Sequence, residues 1–324
     1  MKRTERVAIT LGDPAGIGPE VVAKAISLNP KLLDRVVLFG NRRNFSQTLN
    51  SCKLDASILD KVGFVDVPGE RINPGMVQKE AGRIAIESIQ QAVESVMHDG
   101  PASLCTAPIN KEAIIAAGSQ DIDHTIMLSR LTASKKVSTV FESRKLRILF
   151  ANKHLPLKLA ISGLSTQSLI EAIDMCEEAL EALGTKRKRI AIAALNPHAG
   201  EGGLLGSEEV EIIRPAIEAM RTKYDVTGPY PADSVFYRAS KGEFDIVLSL
   251  YHDQGHIAAK MLDFHGTVSM NLGLPFLRTS VDHGTAYEIA GKNRANPASM
   301  IVAIRTALKY SERYRKYMRS SLLP

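Results

Sequence analysis

The segment Val7-Ala8-Ile9-Thr10-Leu11-Gly12-Asp13-Pro14-Ala15-Gly16-Ile17-Gly18-Pro19-Glu20 decides the fold class. Residues 7–11 have the pattern of a short buried strand. The glycines that follow mark a turn, and Pro19-Glu20 opens a helix whose apolar spacing runs over 19–28. The same alternation recurs downstream. Strands are expected over 36–40, 102–106, 190–195 and 246–251, and a strand pair over 137–142 and 146–151 is joined by a basic turn. Helices are expected over 84–97, 169–183, 208–221 and 297–310, with Gly184 placed to close the second in a left-handed conformation. Strands alternating with helices predict α/β layers around a largely parallel sheet. Ligands of such sheets sit beyond the carboxyl ends of strands, where the polar segments after Leu11, Leu195 and Tyr251 fall.

The 324 residues suggest about two domains. With 44% hydrophobic and 23% charged residues, the composition is that of a globular enzyme, not of a disordered chain. There is no Trp, so the core rests on Leu, Ile, Val, Ala and Met. The net charge of +6 is concentrated in Lys186-Arg187-Lys188-Arg189 and in the stretch from Lys309 to Arg319. Neither run forms a basic stripe interleaved with aromatics, so no nucleic-acid partner is expected. A mildly basic surface instead steers small anions. Cys52, Cys105 and Cys176 are too scattered for a disulfide framework. Met1-Lys2-Arg3 leads into no apolar signal segment, and no run is long enough to span a membrane. The expectation is a cytoplasmic protein.

Four segments carry chemistry. In Gly12–Glu20 the glycines let a backbone approach a ligand and the helix start favours an anion, although the same residues also suit a tight strand–helix turn. Asn196-Pro197-His198-Ala199-Gly200-Glu201-Gly202-Gly203 sets a histidine on an open loop after a strand, with Glu201 at hand. Tyr251-His252-Asp253-Gln254-Gly255-His256 does the same, and Asp253 reads either as a ligand contact or as a partner that orients an imidazole. His154 also follows a strand. Three imidazoles at strand ends match a divalent metal site with an open position, on His154, His198 and His252. The fourth segment, Asn271-Leu272-Gly273-Leu274-Pro275-Phe276-Leu277-Arg278-Thr279-Ser280, offers Arg278 to a carboxylate or phosphate. After it, Asp282-His283-Gly284-Thr285-Ala286 is a polar turn that either holds an adenosine or caps a helix.

Taken in order, these segments resemble the 4-hydroxythreonine-4-phosphate dehydrogenase (PdxA) family of vitamin B6 biosynthesis. The resemblance rests on GDPAGIGPE, TAPINKE from Thr106, His124-Thr125, HLPL from His154, NPHAGEGG, GPYPAD ending at Asp233, YHDQG, LGLPFLRTS and DHGTA. More distantly, GDPAGIGPE and DHGTAYEIAGKNRANP look like the GDGIGPE and HGSAPDIAGKGIANP segments of isocitrate and isopropylmalate dehydrogenases. Asp123 stands where the family has Gly, Ser269 where it has Asn, and His256 resembles the catabolic branch acting on 4-phospho-D-threonate and D-erythronate.

The resemblance implies an isocitrate/isopropylmalate dehydrogenase-like α/β fold of two subdomains with an active site in the cleft between them. Residues 1–126 plus 275–324 would form the cofactor side, and 127–274 the metal, substrate and dimer side. It implies a homodimer with a shared site, one metal ligand coming from the neighbouring subunit. His154, His198 and His252 fall on the family's metal positions, and His124, Thr125, Lys260, Ser269 and Arg278 on its substrate positions. Asp233 falls near the substrate. Gly12, Asp13, Gly16, Asp282, His283, Gly284 and Thr285 would adjoin the cofactor. The implied chemistry is oxidation of an anionic hydroxy acid by NAD or NADP, followed by decarboxylation. A divalent ion (Zn, Mg, Co, Mn or Ni) would assist, with Asp233, Asp253 or a metal-bound water as the base and Lys260 neutralising the substrate's charge. The alternatives are a dehydrogenase of a non-phosphorylated cis-dihydrodiol carboxylate, a metal-dependent hydrolase without dinucleotide, and an anion-binding protein without catalysis.

Overall fold

Strand β1 (Val7–Thr10) is wholly buried, as expected of a parallel strand covered on both faces. It belongs to a computed structural model that describes residues 6–98 and 100–321; the reading of Met1-Lys2-Arg3 lies outside them. The described chain divides into two compact units, 1–137 with 268–324, and 138–267.

The first unit opens with β1, β2 (Val36–Gly40), β3 (Gly63–Asp66) and β4 (Ser103–Thr106). The second unit holds β5 (Ser138–Ser143), β6 (Leu146–Phe150), β7 (Ile190–Ala193), β8 (Val226–Tyr230) and β9 (Ile246–Ser249). The chain then returns to the first unit through β10 (Thr267–Leu272) and β11 (Leu277–Val281). Strand order is β3-β2-β1-β4-β11-β10 in the first unit and β5-β6-β9-β7-β8 in the second. Pairing is parallel, as the alternation predicted, except at two hairpins, β5–β6 and β10–β11. The first hairpin was anticipated from its basic turn. The second was not.

Local chemistry explains the helix ends. Asn41, Asn110 and Asp123 each accept a backbone N–H three residues on, and Ser165 and Ser168 form a reciprocal cap. Gly184 adopts φ +67° and closes the helix Thr166–Ala182, with Thr185 N donating to Leu180 O. Two helices outrun their apolar patterns. Lys79–Met97 begins earlier than expected, in a polar first turn where Glu80 and Arg83 pair. Ala298–Ser321 continues well past residue 310. Buried Tyr314 anchors this extension, its hydroxyl accepting from Gly273 N and donating to Leu274 O. The stretch expected as one helix over 208–221 starts instead as a wide π turn, Glu209–Ile213, before the α-helix Arg214–Met220.

Each unit has its own core. In the first, Val21, Val22, Ile26, Phe45, Met300 and Ile304 pack around β1 and β2. In the second, Phe141, Phe150 and Val247 on β5, β6 and β9 pack with Val235 and Phe236 of the helix Ala232–Ser240. Gly82, in the helix Lys79–Met97, lies so close to Lys111–Ala116 that a Cβ would sit 1.9 Å from Ala113 O. Gly82→Ala therefore destabilises the chain by about 1–3 kcal/mol in urea unfolding, although alanine favours helix. An unchanged midpoint would contradict this packing.

Candidate active site

Buried polar residues gather in the first unit on neighbouring strands. Arg278 on β11 lies opposite Asn271 on β10, and Ser280 lies opposite Ser269 in the same hairpin. Period-two alternation puts Arg278 and Ser280 on one face of β11, and Asn271 and Ser269 on one face of β10. The Arg278 Nη1 donates to Asn271 Oδ1 at 2.6 Å, while Nε and Nη2 reach Thr106 Oγ1, at the end of β4, at 3.0 and 2.6 Å. Only 5% of Arg278 is exposed, and no described carboxylate pairs with it. Burial pushes its pKa down to about 10, so it remains a cation at neutral pH.

His124 opens the helix His124–Leu131 and is buried, with no hydrogen-bond partner for Nε2. Burial, assisted by the positive charge of Arg278, holds its pKa well below the usual imidazole range. Asp123, the departure from the family's glycine, caps this helix by accepting from Ile126 N at 2.9 Å. Thr125 is half-buried in the same first turn. A fixed guanidinium and an unsatisfied ring nitrogen in one region have the chemistry to receive an anion.

The two segments expected beside the cofactor also meet in this unit. Ile17 N donates to Thr285 O, and a Cβ on Gly16 would lie 2.8 Å from Thr285 Cβ. Gly12, at φ +71°, would place a Cβ 2.3 Å from Pro108 O. Close packing within the chain thus already requires both glycines. Asp13 is buried, accepting from Ala15 N and from the Tyr287 hydroxyl, and burial raises its pKa. His283 Nδ1 contacts Gly284 O, and its Nε2 is buried without a partner. Asp282 and Gly284 complete this turn ahead of the short helix Tyr287–Ile289. A pocket of about 370 Å³ lies beside Gly16, lined among others by Pro14, Glu20, Asn44, Arg71 and Gly291.

The second unit carries the imidazoles. His154 and His252 have ring centroids 5.7 Å apart and line a pocket of about 260 Å³ with Lys153, Leu155, Tyr251 and Asp253. His252 opens the helix His252–Leu262, and its Nδ1 lies 2.6 Å from Asp253 Oδ1. A carboxylate only accepts, so Nδ1 carries a proton, and in the neutral ring Nε2 is left as the acceptor. His256 stacks on His252 at 4.0 Å, and Lys260 follows one turn later on the same face. His198 is not among the residues lining this pocket. It sits exposed on its own loop, Nδ1 held 2.8 Å from Glu201 Oε1, which raises its pKa, as does the charge of Asp233. Among the described residues, no three His, Cys, Asp or Glu side chains form a metal-holding group. The donor chemistry of His154 and His252 fits a divalent cation, but the single described chain brings only two of the three expected imidazoles together.

Sequence reading named Arg278, His124 and Ser269 but gave no role to Thr106 or Asn271. Both stood inside quoted segments, and the signal for Asn271 was alternation across a hairpin that had not been recognised.

The fold and these polar clusters define an oxidoreductase acting on CH–OH groups, as comparison with known proteins shows. A profile of the family described as pyridoxal phosphate biosynthetic protein PdxA matches residues 21–307, and the chain belongs to that family. A Symbiobacterium thermophilum protein provisionally named D-threonate 4-phosphate dehydrogenase is 43% identical over 96% of this chain and 98% of its own. The crystal structure of 4-hydroxythreonine-4-phosphate dehydrogenase from Klebsiella pneumoniae superposes with a TM-score of 0.86 at 35% identity, covering 95% of this chain and 99% of that one. A terephthalate 1,2-cis-dihydrodiol dehydrogenase from Burkholderia xenovorans gives 0.63 at 28%, covering 95% and 98%. In fold alone, the chain is also like a β-decarboxylating dehydrogenase from Thermococcus kodakarensis, with a TM-score of 0.50 at 16% identity over 98% and 88%. The expected fold class and family are thereby borne out.

The neutral, buried His124 has a consequence for stability. Its folded pKa lies below the ordinary 6.5, so in mild acid the unfolded chain binds a proton that the folded chain refuses. Stability therefore falls as pH drops below about 6.5. His124→Gln, which cannot titrate, should lose less stability between about pH 7.5 and pH 5.5 in urea unfolding. Equal losses in both proteins would show that His124 does not contribute.

Proposed function

We propose that the chain oxidises a phosphorylated hydroxy acid of the 4-phospho-D-threonate or 4-phosphohydroxythreonine type, using NAD or NADP. The product is a 3-keto acid, which then loses carbon dioxide. The observation that carries this reading is Arg278, a buried guanidinium that no described carboxylate hydrogen-bonds, although the charge of Asp123 reaches it. Leaving a charge in a low-dielectric interior without a counter-ion is costly, and an anionic substrate removes that cost on binding.

In this reading Arg278 and His124 grasp the substrate's anionic end, with Thr106 and Asn271 holding the guanidinium in register. Thr125, Ser269 and Lys260 complete the substrate contacts. The 370 Å³ pocket beside Gly16 receives part of the dinucleotide, where the partnerless Asn44 Oδ1 offers an acceptor. A bound nicotinamide would supply the hydride acceptor for the secondary alcohol. His154, His198 and His252 would hold a divalent cation, which would supply Lewis-acid chemistry at that hydroxyl. Asp253 is engaged with His252 as its orienting partner. Asp233 is therefore the better candidate to hold the hydroxyl proton.

The reading includes a homodimer in which a second copy supplies His198. Exposed Leu155, Leu157 and Leu159, together with Ile257, Met261 and Phe264 of the second unit, give this unit apolar surface to bury. No described helix is long and apolar enough to cross a membrane.

With a divalent metal and NAD or NADP, 4-phospho-D-threonate or 4-phosphohydroxythreonine should generate NADH or NADPH absorbance. Silence with both, and with a cis-dihydrodiol carboxylate, would overturn the reading. Arg278→Met should lower kcat/KM by about 10³-fold, mainly for the anionic substrate. His154→Ala and His198→Ala should each be inactive alone. Mixed and reassorted, they should recover about a quarter of wild-type activity, because half the dimers then hold one intact site. No recovery would mean that one chain supplies all three imidazoles.

A further inference from the structure

We infer that Glu209 is a positioning residue that sets the loop presenting His198. This inference rests on the reading of His198 as a cation ligand only for its functional consequence, not for the geometry.

The loop after β7 is conformationally expensive. His198, Ala199, Gly200, Glu201 and Gly202 are five successive residues with positive φ, from 44° to 74°. Three of them are not glycine, and each such residue raises the backbone free energy. The left-handed turn is nonetheless what brings Glu201 back onto the His198 ring. Something outside the loop must hold it there.

That group is Glu209, a fully buried carboxylate with no lysine or arginine paired to it among the described residues. Its Oε1 accepts from Leu195 N at 2.8 Å and Asn196 N at 2.7 Å, and its Oε2 accepts from Asn196 Nδ2 at 2.8 Å. These donors lie on the two residues that lead into the loop. Asn196 Nδ2 also donates to Glu208 Oε2, so the adjacent acidic pair clamps one amide. The fit leaves no space for side chains. A Cβ on Gly200 would lie 2.8 Å from Glu209 Oε2, and one on Gly206 would lie 2.4 Å from Asn196 Nδ2. Glu209 also begins the π turn Glu209–Ile213, a local irregularity of the kind found at functional sites. Its hydrogen-bond partners are Leu195 and Asn196 and not the His198 ring, so it acts on His198 through the loop.

Glu209→Gln isolates this role. A glutamine oxygen still accepts from both backbone N–H groups, but its amide then faces Asn196 Nδ2, donor against donor. Amide hydrogen exchange at Leu195 and Asn196 should accelerate by about tenfold or more, while β1 and β2 exchange as in wild type. Cobalt(II) affinity of the metal-free dimer, read by titration calorimetry, should fall by about tenfold, short of the loss caused by His198→Ala. Adding Asn196→Ala removes the facing donor, so the double variant should be no looser than Glu209→Gln alone. If Glu209→Gln does not fold, Asn196→Ala by itself should show a smaller acceleration at the same amides.

Unchanged exchange at Leu195 and Asn196 would overturn the inference. So would accelerated exchange with unchanged cobalt affinity, where His198→Ala does weaken it. If neither variant alters cobalt affinity while exchange accelerates, Glu209 still holds the loop, and it is the metal reading of His198 that fails.

Discussion

A guanidinium locked into a strand hairpin, with no carboxylate hydrogen-bonded to it among the described residues, is the constraint on which the first unit's chemistry depends. Arg278 can occupy its place only because β10 and β11 run antiparallel in an otherwise parallel neighbourhood. That reversal sets Asn271 directly across from it, while the parallel β4 brings Thr106 to the other side. Three of the five donors are fixed and the charge is not neutralised. Such a group is a weak contributor to stability and a strong contributor to recognition. The neighbouring His124 is kept neutral first by its burial and then by the charge of Arg278. The two groups thus differ in charge while sharing an unsatisfied demand for an acceptor or a donor.

Much of the fold was legible because most strands and helices announce themselves by period. Residues 7–10, 36–40, 103–106 and 246–249 are apolar runs bounded by turns, and they form strands essentially where the pattern puts them. The β10–β11 hairpin was hidden for the reason that makes it useful. Ser269, Asn271, Arg278, Thr279 and Ser280 are buried polar residues, and in sequence they read as loop. The helix His252–Leu262 was hidden likewise, because its first turn carries His252 and Asp253 and its interior carries Gly255. That glycine has a packing reason, since a Cβ there would meet the Phe150 ring at 2.6 Å. Local rules fail at functional positions, where tertiary neighbours compensate for what the segment lacks.

The candidate site was legible to a different depth. The types of side chain could be read from the sequence, but not their partners. Asp123 was read only as a departure from the family's glycine, and its role as a helix cap shows in the structure. Gly12 and Gly16 looked like room for a ligand, whereas Pro108 and Thr285 already fill the space a side chain would need. Both outcomes have one cause: hydrogen bonds and close approaches between residues far apart in the chain leave no periodic trace.

The second unit meets its polar demands by pairing. Asp253 holds Nδ1 of His252, and Glu201 holds Nδ1 of His198. Each carboxylate fixes a tautomer, so that in the neutral ring Nε2 is left as an acceptor. At His198 the carboxylate also raises the pKa of the ring. The partners are nevertheless reached by different routes. Asp253 is the next residue after His252, at the start of a regular helix, and needs no unusual backbone. Glu201 is three residues on, and here a left-handed turn brings it to His198. The same electrostatic result is therefore inexpensive at one position and strained at the other. Strain of that kind persists only where surrounding structure over-determines it. Here the over-determination is visible as a buried carboxylate receiving three N–H donors from the two residues before the loop.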